Sequence, residues 1–151
     1  MNENMIDFTY LLFGGVHKIQ AHCNRAFRDA KCPISYSQYA ALRMIYLNPS
    51  NNSTETATLL YQDRSTFTRN CVVLSREGYI EGSVPSNNKR ITRYALTSKG
   101  ARLLQDFEFA FTAVNEHLSK YCDKLNTVQN SFKTILQRLN DFGIDLEVEI
   151  S

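Results

Sequence analysis

The sequence predicts a mainly α-helical fold with a small β component (α+β), and three observations carry that prediction. Apolar residues recur every three or four positions over the first and last thirds of the chain, which is typical of long helices with one buried face. Between them, shorter helical patterns are separated by polar turns. A later stretch has two extended runs around a tip rich in asparagine and basic residues, which indicates a β-hairpin.

The first helical pattern spans 7–31 and stops before Pro33, because the residue that precedes a proline is pushed out of the helical region. Ser35 is the predicted N-cap of a second helix over 36–47. Gln38 follows three residues later, at the position that completes a capping box.

A short helix follows the polar turn "NPSNNS". It is predicted to be capped by Ser53 or Thr54 and to extend to about Tyr61. The tight connection "YQD" leads to another helix, for which Asp63 is the predicted cap and Gly78 the predicted stop. The stripe expected to be buried on this helix consists of Phe67, Cys71 and Leu74.

The runs "YIEGSV" and "ITRYALT" flank the basic tip "PSNNKR" and form the predicted hairpin. Two short helices with a tight connection form a helix-turn-helix, and a hairpin appended to it is a wing. We therefore predict one domain over 1–151, with a winged helix-turn-helix lobe over 35–97. The apolar helices over 7–31 and 98–142 are predicted to cover a partner subunit.

Length, composition and charge are those of one globular domain with no strong electrostatic bias. The chain has 151 residues, is 43% hydrophobic and carries a net charge of +2. That charge does not by itself indicate a polyanion, so an argument for nucleic acid depends on where the basic residues lie. Neither a bilayer-spanning apolar run nor a signal peptide is visible, which predicts a cytoplasmic protein with no membrane partner.

The four cysteines have no spacing typical of a zinc site, and Cys71 and Cys122 fall on apolar stripes that predict packing in a core. Cys23 has basic neighbours that could lower its thiol pKa, although it also falls on an apolar stripe. Cys32, at a helix end, is the other candidate for a redox role. No catalytic triad, phosphate loop or metal set is recognisable, so no enzyme, cofactor or metal is predicted.

The segments "ISYSQYAAL", "DRSTFTR" and "NNKRITRYALTSKG" together resemble the MarR family of bacterial transcription regulators, over roughly Phe8 to Leu139. The resemblance implies a triangular homodimer held by its first and last helices. It also implies binding to a double-stranded DNA operator, usually as a repressor. Release on binding a small ligand or on cysteine oxidation is implied as well.

The sequence departs from the family pattern at three places. At the wing tip, Asn88 stands where the family usually has an aspartate before its basic pair, here Lys89-Arg90. Val72 and Val73 follow "TR" where polar residues are usual, which removes phosphate contacts or adds an apolar contact such as a thymine methyl. Phe13 lies near the place of the reactive cysteine of the hydroperoxide sensors, so their chemistry is not implied.

The predicted DNA contacts are the polar residues at two helix starts and the basic residues of the wing. The first residues of a recognition helix face base edges or phosphates in the major groove. Arg90 is the predicted minor-groove residue. The full set is Ser53, Thr54, Arg64, Ser65, Thr66, Thr68, Arg69, Lys89, Arg90 and Arg93.

An effector site is also predicted, because ligands of the family often lodge between the DNA lobe and the dimer helices. His17, Tyr36, Tyr39 and Arg43 are its candidate residues, and a cation among aromatic rings suits a small aromatic or phenolic compound. Alternatively, the tyrosines belong to the core and Arg43 pairs with an acid. The competing prediction for the whole chain is a winged helix that binds a protein partner, with weak or no specific DNA binding.

Overall fold

The computed structural model describes residues 3–85, 92–120 and 124–141, and over these ranges the chain is mainly helical. Lys89, Arg90 and Cys122, together with the chain after Asp141, lie outside them. The elements, in chain order, are α1 (Glu3–Asp29), α2 (Tyr36–Leu47), α3 (Ser53–Leu59), α4 (Arg64–Arg76), β1 (Ile80–Ser83), β2 (Arg93–Leu96), α5 (Ser98–Ser119) and α6 (Leu125–Asp141). This order confirms the predicted fold class.

The chain divides into two compact units, Met1–Val114 and Asn115–Ser151, and each is described by itself. In the first unit, side chains from α1, α2, α4, the hairpin and α5 share one core. The largest fully buried side chains of this core include Phe27, Tyr39, Leu42, Phe67 and Leu74. In the second unit, α6 carries the exposed apolar residues Val128, Phe132 and Ile135.

The predicted ends of α2 and α4 are confirmed in detail. Ser35 accepts a hydrogen bond from the backbone N–H of Gln38, whose side chain accepts one from the N–H of Ser35. The Asp63 carboxylate accepts from the N–H of Thr66 and so caps α4. Gly78 follows α4 with a φ of 76°, in the left-handed region that glycine adopts without a steric penalty.

The start of α3 differs from the prediction, since neither Ser53 nor Thr54 is its cap. Asn52 takes that place: its Oδ1 accepts from the N–H groups of Thr54 at 2.9 Å and Glu55 at 3.0 Å. Glu55 returns the bond by accepting from the N–H of Asn52 at 2.8 Å. Asn52 is followed three residues later by Glu55, which completes the capping box, whereas Ser53 and Thr54 have no glutamate or glutamine at that spacing.

Two helices also end earlier than predicted, and each does so at a residue in the left-handed region. The first helix ends at Asp29 and is followed by Lys31 with a φ of 60°. The third ends at Leu59, and Tyr61 has a φ of 52°. A left-handed residue reverses the chain as a terminal glycine would, so no glycine marks these ends in the sequence.

The hairpin and α5 are joined through one close backbone approach. β1 and β2 pair antiparallel, with Ile80 opposite Leu96. Thr97 caps α5 by accepting from the N–H of Gly100 at 3.1 Å, and its own N–H donates to the carbonyl of Tyr79 at 3.1 Å. A Cβ atom on Gly100 would lie 2.1 Å from that carbonyl oxygen, so only glycine fits at this position.

The stretch of α1 over 10–19, which we call its first half, carries apolar side chains that are uncovered on the single chain. Its exposed residues are Tyr10, Leu11, Phe13, Val16 and Ile19. The second half of the same helix packs into the core through Cys23 and Phe27. Within the described residues, no helix combines the length and the apolar character that crossing a membrane requires.

Candidate nucleic-acid interface

The start of α4 is ordered by a compact set of hydrogen bonds around Asp63. One carboxylate oxygen accepts from the N–H of Thr66 at 2.8 Å, and the other accepts from its hydroxyl at 2.6 Å. The hydroxyl of Ser65 donates to the same carboxylate. The hydroxyls of Ser65 and Thr66, with the backbone N–H of Thr66, hold the pKa of Asp63 well below its usual range. The cap is therefore ionised at neutral pH.

Arg64 and Arg69 project from this capped end into solvent. The guanidinium of Arg69 lies 3.2 Å from the hydroxyl oxygen of Thr66 and 3.5 Å from that of Ser65. Within the described ranges, neither arginine forms an ion pair with a carboxylate. Arg64, Ser65, Thr68 and Arg69 line a shallow depression on this face. Two unpaired guanidinium groups beside short hydroxyls are donors suited to phosphates and to guanine edges.

The face of α4 that lies away from solvent packs against the rest of the lobe. Phe67, Cys71 and Leu74 are buried, as predicted. Phe67 packs edge-on against the ring of Tyr94 on β2, with the ring centroids 6.4 Å apart. The outward face is therefore positioned by the core and by the hairpin.

Ser37, on α2, provides a polar attachment for α4 that the sequence did not reveal. Its hydroxyl oxygen accepts from the side-chain amides of Asn70 on α4 at 3.0 Å and of Gln62 before α4 at 3.2 Å. The three residues are separated by up to 33 positions and carry no common motif. Only the packing of α2 against α4 brings them together.

The base of the hairpin lies against the start of α3. The N–H of Ser53 donates to the carbonyl of Thr92 at 2.9 Å, and Asn52 forms an isolated antiparallel bridge with Arg93. The structure thus places Ser53 and Thr54 beside Arg93, whose side chain is exposed. The other two predicted wing contacts, Lys89 and Arg90, lie outside the described residues.

The predicted effector residues are only partly brought together. Tyr36 stacks on Phe111 with ring centroids 5.7 Å apart, and the Arg43 guanidinium lies 4.7 Å from the centre of the same ring. Tyr39 is fully buried, and its hydroxyl lies 2.9 Å from both the Leu104 carbonyl and the Glu108 carboxylate. Tyr39 is therefore a core residue, as the alternative interpretation predicted for it.

Arg43 pairs with Glu108 at 3.3 Å, which is the acid partner that the alternative interpretation required. His17 lies on the exposed side of α1. A cavity of about 380 Å³ lies beside the Arg43–Glu108 pair, between α2 and α5. Its lining residues are Arg43, Tyr46, Leu47, Ala101, Leu104, Gln105 and Glu108. Of the four residues predicted for an effector, only Arg43 lines this cavity.

The thiols are not activated as the basic neighbours of Cys23 suggested. Cys23 is buried, and burial raises its thiol pKa. Burial also raises the pKa of Cys32, which is partly exposed. Cys71 packs in the core, where burial raises its pKa to about 12. A protonated thiol is a poor nucleophile, so these pKa shifts give no support to the predicted redox role of Cys23 and Cys32.

Comparisons with solved structures confirm the fold and the predicted resemblance at the level of the fold. No protein-family model and no curated protein matches the chain. The Mycobacterium tuberculosis regulator MosR, solved with DNA, is similar with a TM-score of 0.76 at 22% identity, over 88% of this chain and 96% of that one. A mutant MarR from Escherichia coli, solved with operator DNA, gives 0.73 at 22% identity, over 88% and 96%.

A third similar structure is the regulator PcaV from Streptomyces coelicolor, solved with its natural ligand. Its TM-score is 0.64 at 18% identity, over 84% of this chain and 89% of that one. The described part of this chain therefore has the winged-helix fold of MarR-type regulators.

Proposed function

We propose that this chain is a sequence-specific DNA-binding transcription regulator that acts in the cytoplasm as a homodimer on a pseudo-palindromic operator, as a repressor. The outward face of α4 carries the proposal. It presents Arg64 and Arg69, which have no carboxylate partner among the described residues, next to Ser65 and Thr68. The buried face of the same helix packs in the core. The similar MosR and MarR proteins were both solved with DNA, which supports DNA binding by this chain.

The remaining proposed contacts lie to either side of α4. The start of α3 lies against the base of the hairpin, through Ser53 with Thr92 and Asn52 with Arg93. We propose that Ser53, Thr54 and Arg93 contact the phosphate backbone there. Lys89 and Arg90 complete the proposed wing contacts from the sequence.

Selection from random duplexes tests the proposal directly. Two identical lobes predict an enriched motif with two half-sites about one helical turn apart. No enrichment at low salt would instead favour the interaction module, for which the exposed apolar Val72 on the same face is the supporting observation.

Gel-shift titrations at several salt concentrations then test one residue on the enriched duplex. Arg69→Ala is expected to weaken binding and to reduce the salt slope by about one phosphate contact. Arg25→Ala is the matched control, because Arg25 is an exposed arginine on α1 that pairs with Asp29. Equal slopes for the two variants would contradict a phosphate contact by Arg69.

The homodimer is supported by the uncovered apolar half of α1. Light scattering after gel filtration is expected to give twice the 17.3 kDa mass of the chain. Leu11→Glu is expected to shift the mass towards that of one chain, because a charge on a buried interface is unpaired. A wild-type mass of 17.3 kDa at micromolar concentration would contradict the dimer.

We also propose a small aromatic or phenolic effector. The cavity beside Arg43 has apolar walls, one guanidinium and the Glu108 carboxylate that pairs with it, and an aromatic carboxylate would replace Glu108 as the partner of Arg43. Benzoate is expected to raise the melting temperature and to weaken DNA binding. Benzyl alcohol, which lacks the charge, serves as the control. Identical responses to both compounds, or to neither, would contradict recognition through Arg43.

A further inference from the structure

Val72 is an apolar residue in the middle of an otherwise polar outward face. Its side chain is 60% exposed on the single chain. It lies one helical turn beyond Thr68 and Arg69 and one turn before Arg76, and these three residues are exposed. Val72 therefore interrupts a polar surface that the rest of α4 presents to solvent.

Helix geometry places Val72 on the same side as the residues that line the depression. At about 100° per residue, Val72 lies between Thr68 and Arg69 when α4 is viewed down its axis. The buried stripe of Phe67, Cys71 and Leu74 lies on the far side. Val73 is only partly exposed and lies on another flank of the helix, so the two valines have different surroundings.

We propose that Val72 is a specificity-determining residue that contacts the 5-methyl group of a thymine in the operator's major groove. This inference rests on the proposed DNA-binding function. A valine side chain has no hydrogen-bond donor or acceptor, so it cannot read the polar edges of guanine, adenine or cytosine. The thymine methyl is the apolar feature that the major groove presents, and an aliphatic group is its natural contact.

The charges around Val72 favour DNA as the occupant of this face. Arg64, Arg69 and Arg76 lie on α4 itself. Across the part of the chain that the structure describes, only Arg76 of these three is paired with a carboxylate, that of Glu77 at 3.2 Å. The nearest acid at the start of the helix, Asp63, is engaged in capping. A surface with basic residues around one apolar side chain complements a phosphate-lined groove that contains a methyl group.

The spacing along α4 limits where the thymine lies. Arg69 and Val72 are about 4.5 Å apart along the helix axis, which is close to the 3.4 Å spacing of bases along one strand. The thymine is therefore expected within one or two base pairs of the position nearest to Arg69. Arg69 supplies a positive charge here, and Val72 supplies an apolar contact for the thymine methyl.

Replacement of thymine by uracil removes only the methyl group and so tests the contact. Each half-site thymine of the selected operator is replaced in turn, and binding is measured by fluorescence anisotropy. Wild-type protein is expected to lose about fourfold in affinity at one position per half-site, the ratio that corresponds to burial of one methyl-sized group. Replacement in both half-sites is expected to cost about fifteenfold.

Val72→Ala is expected to bind the thymine and uracil duplexes equally, whereas the matched variant Val73→Ala is expected to retain the fourfold difference. Circular dichroism checks that both variants keep the helical content. A penalty that persists in Val72→Ala assigns the methyl contact to another residue and overturns the proposal. The absence of any uracil penalty in the wild type overturns it as well, while specific binding still supports the proposed function. Failure of the wild type to bind any duplex overturns both.

Discussion

The lobe and the first half of α1 differ in how their apolar residues are covered. The lobe here is the core shared by α2, α4, the hairpin, α5 and the second half of α1. In the lobe, Tyr39, Leu42 and Phe67 have no exposed surface on a single chain. On α1, Tyr10 is 73% exposed and Phe13 67% exposed. The lobe is thus complete within one chain, whereas the first half of α1 presents apolar surface that only another surface can cover.

The change from exposed to buried apolar side chains along α1 occurs within a few residues. Ile19 is exposed, but Cys23, one turn later, is buried, as is Phe27. The ring of Phe27 meets Tyr36 and Tyr39 edge-on, at centroid distances of 5.4 and 5.1 Å. One continuous helix therefore belongs to the lobe at its second half and to a proposed dimer interface at its first.

The largest effect is expected where the lobe is most closely packed. Gly100→Ala would place a Cβ atom 2.1 Å from the Tyr79 carbonyl oxygen, which already accepts the N–H of Thr97. The hairpin and α5 must separate to relieve this contact. We expect a loss of about 3 kcal/mol in the free energy of unfolding, measured by urea denaturation. If this variant is as stable as the wild type, the backbone at Gly100 and Tyr79 moves apart without a measurable cost.

A smaller loss is expected when one buried hydroxyl is removed. Tyr39→Phe deletes the group that lies 2.9 Å from the Leu104 carbonyl and from Glu108. We expect a loss of about 1–2 kcal/mol, because a buried hydrogen bond is removed without a compensating partner. Tyr10→Phe is the matched control on α1 and is expected to change stability by less than about 0.5 kcal/mol. Equal losses for the two variants would remove the contrast between the lobe and α1.

The sequence predicted the parts of this fold that depend on local patterns. The caps at Ser35 and Asp63, the stop at Gly78 and the stripe of α4 all follow from residues within one or two turns of each other. These signals persist in the structure because local hydrogen bonds and helical spacing are the same in any tertiary context.

The parts that could not be predicted depend on contacts between distant segments. The hydroxyl of Tyr39 finds its partners, the Leu104 carbonyl and the Glu108 carboxylate, more than sixty residues later in the chain. The attachment of α4 through Ser37 has the same origin. Basic neighbours in the sequence suggested an activated thiol at Cys23, but burial among residues distant in sequence reverses the direction of its pKa shift.

The stability of the exposed end of α4 is expected to depend on pH through the capping carboxylate of Asp63. The pKa of Asp63 is lower in the folded chain than the value of about 3.9 in an unfolded one. Its stabilising effect is therefore fully present above about pH 4 and is lost as the pH falls through the folded-state pKa. Asp63→Asn keeps an acceptor for the N–H of Thr66 but does not titrate. Its urea midpoint is expected to fall less than that of the wild type between pH 6 and pH 3. If the two midpoints fall in parallel with pH, the acid sensitivity comes from other groups.

The smallest effect, of opposite sign, is expected on α1. A Cβ atom on Gly14 meets nothing within 4 Å on the single chain, and glycine inside a helix costs about 1 kcal/mol relative to alanine. Gly14→Ala is therefore expected to raise the free energy of unfolding by up to about 1 kcal/mol, measured by urea denaturation over a range of protein concentrations. A loss instead, growing with protein concentration, would mean that a second chain approaches the α1 backbone at Gly14. In that case the first half of α1 is as closely packed in the dimer as the lobe is in one chain, and Gly14 has the role there that Gly100 has at Tyr79.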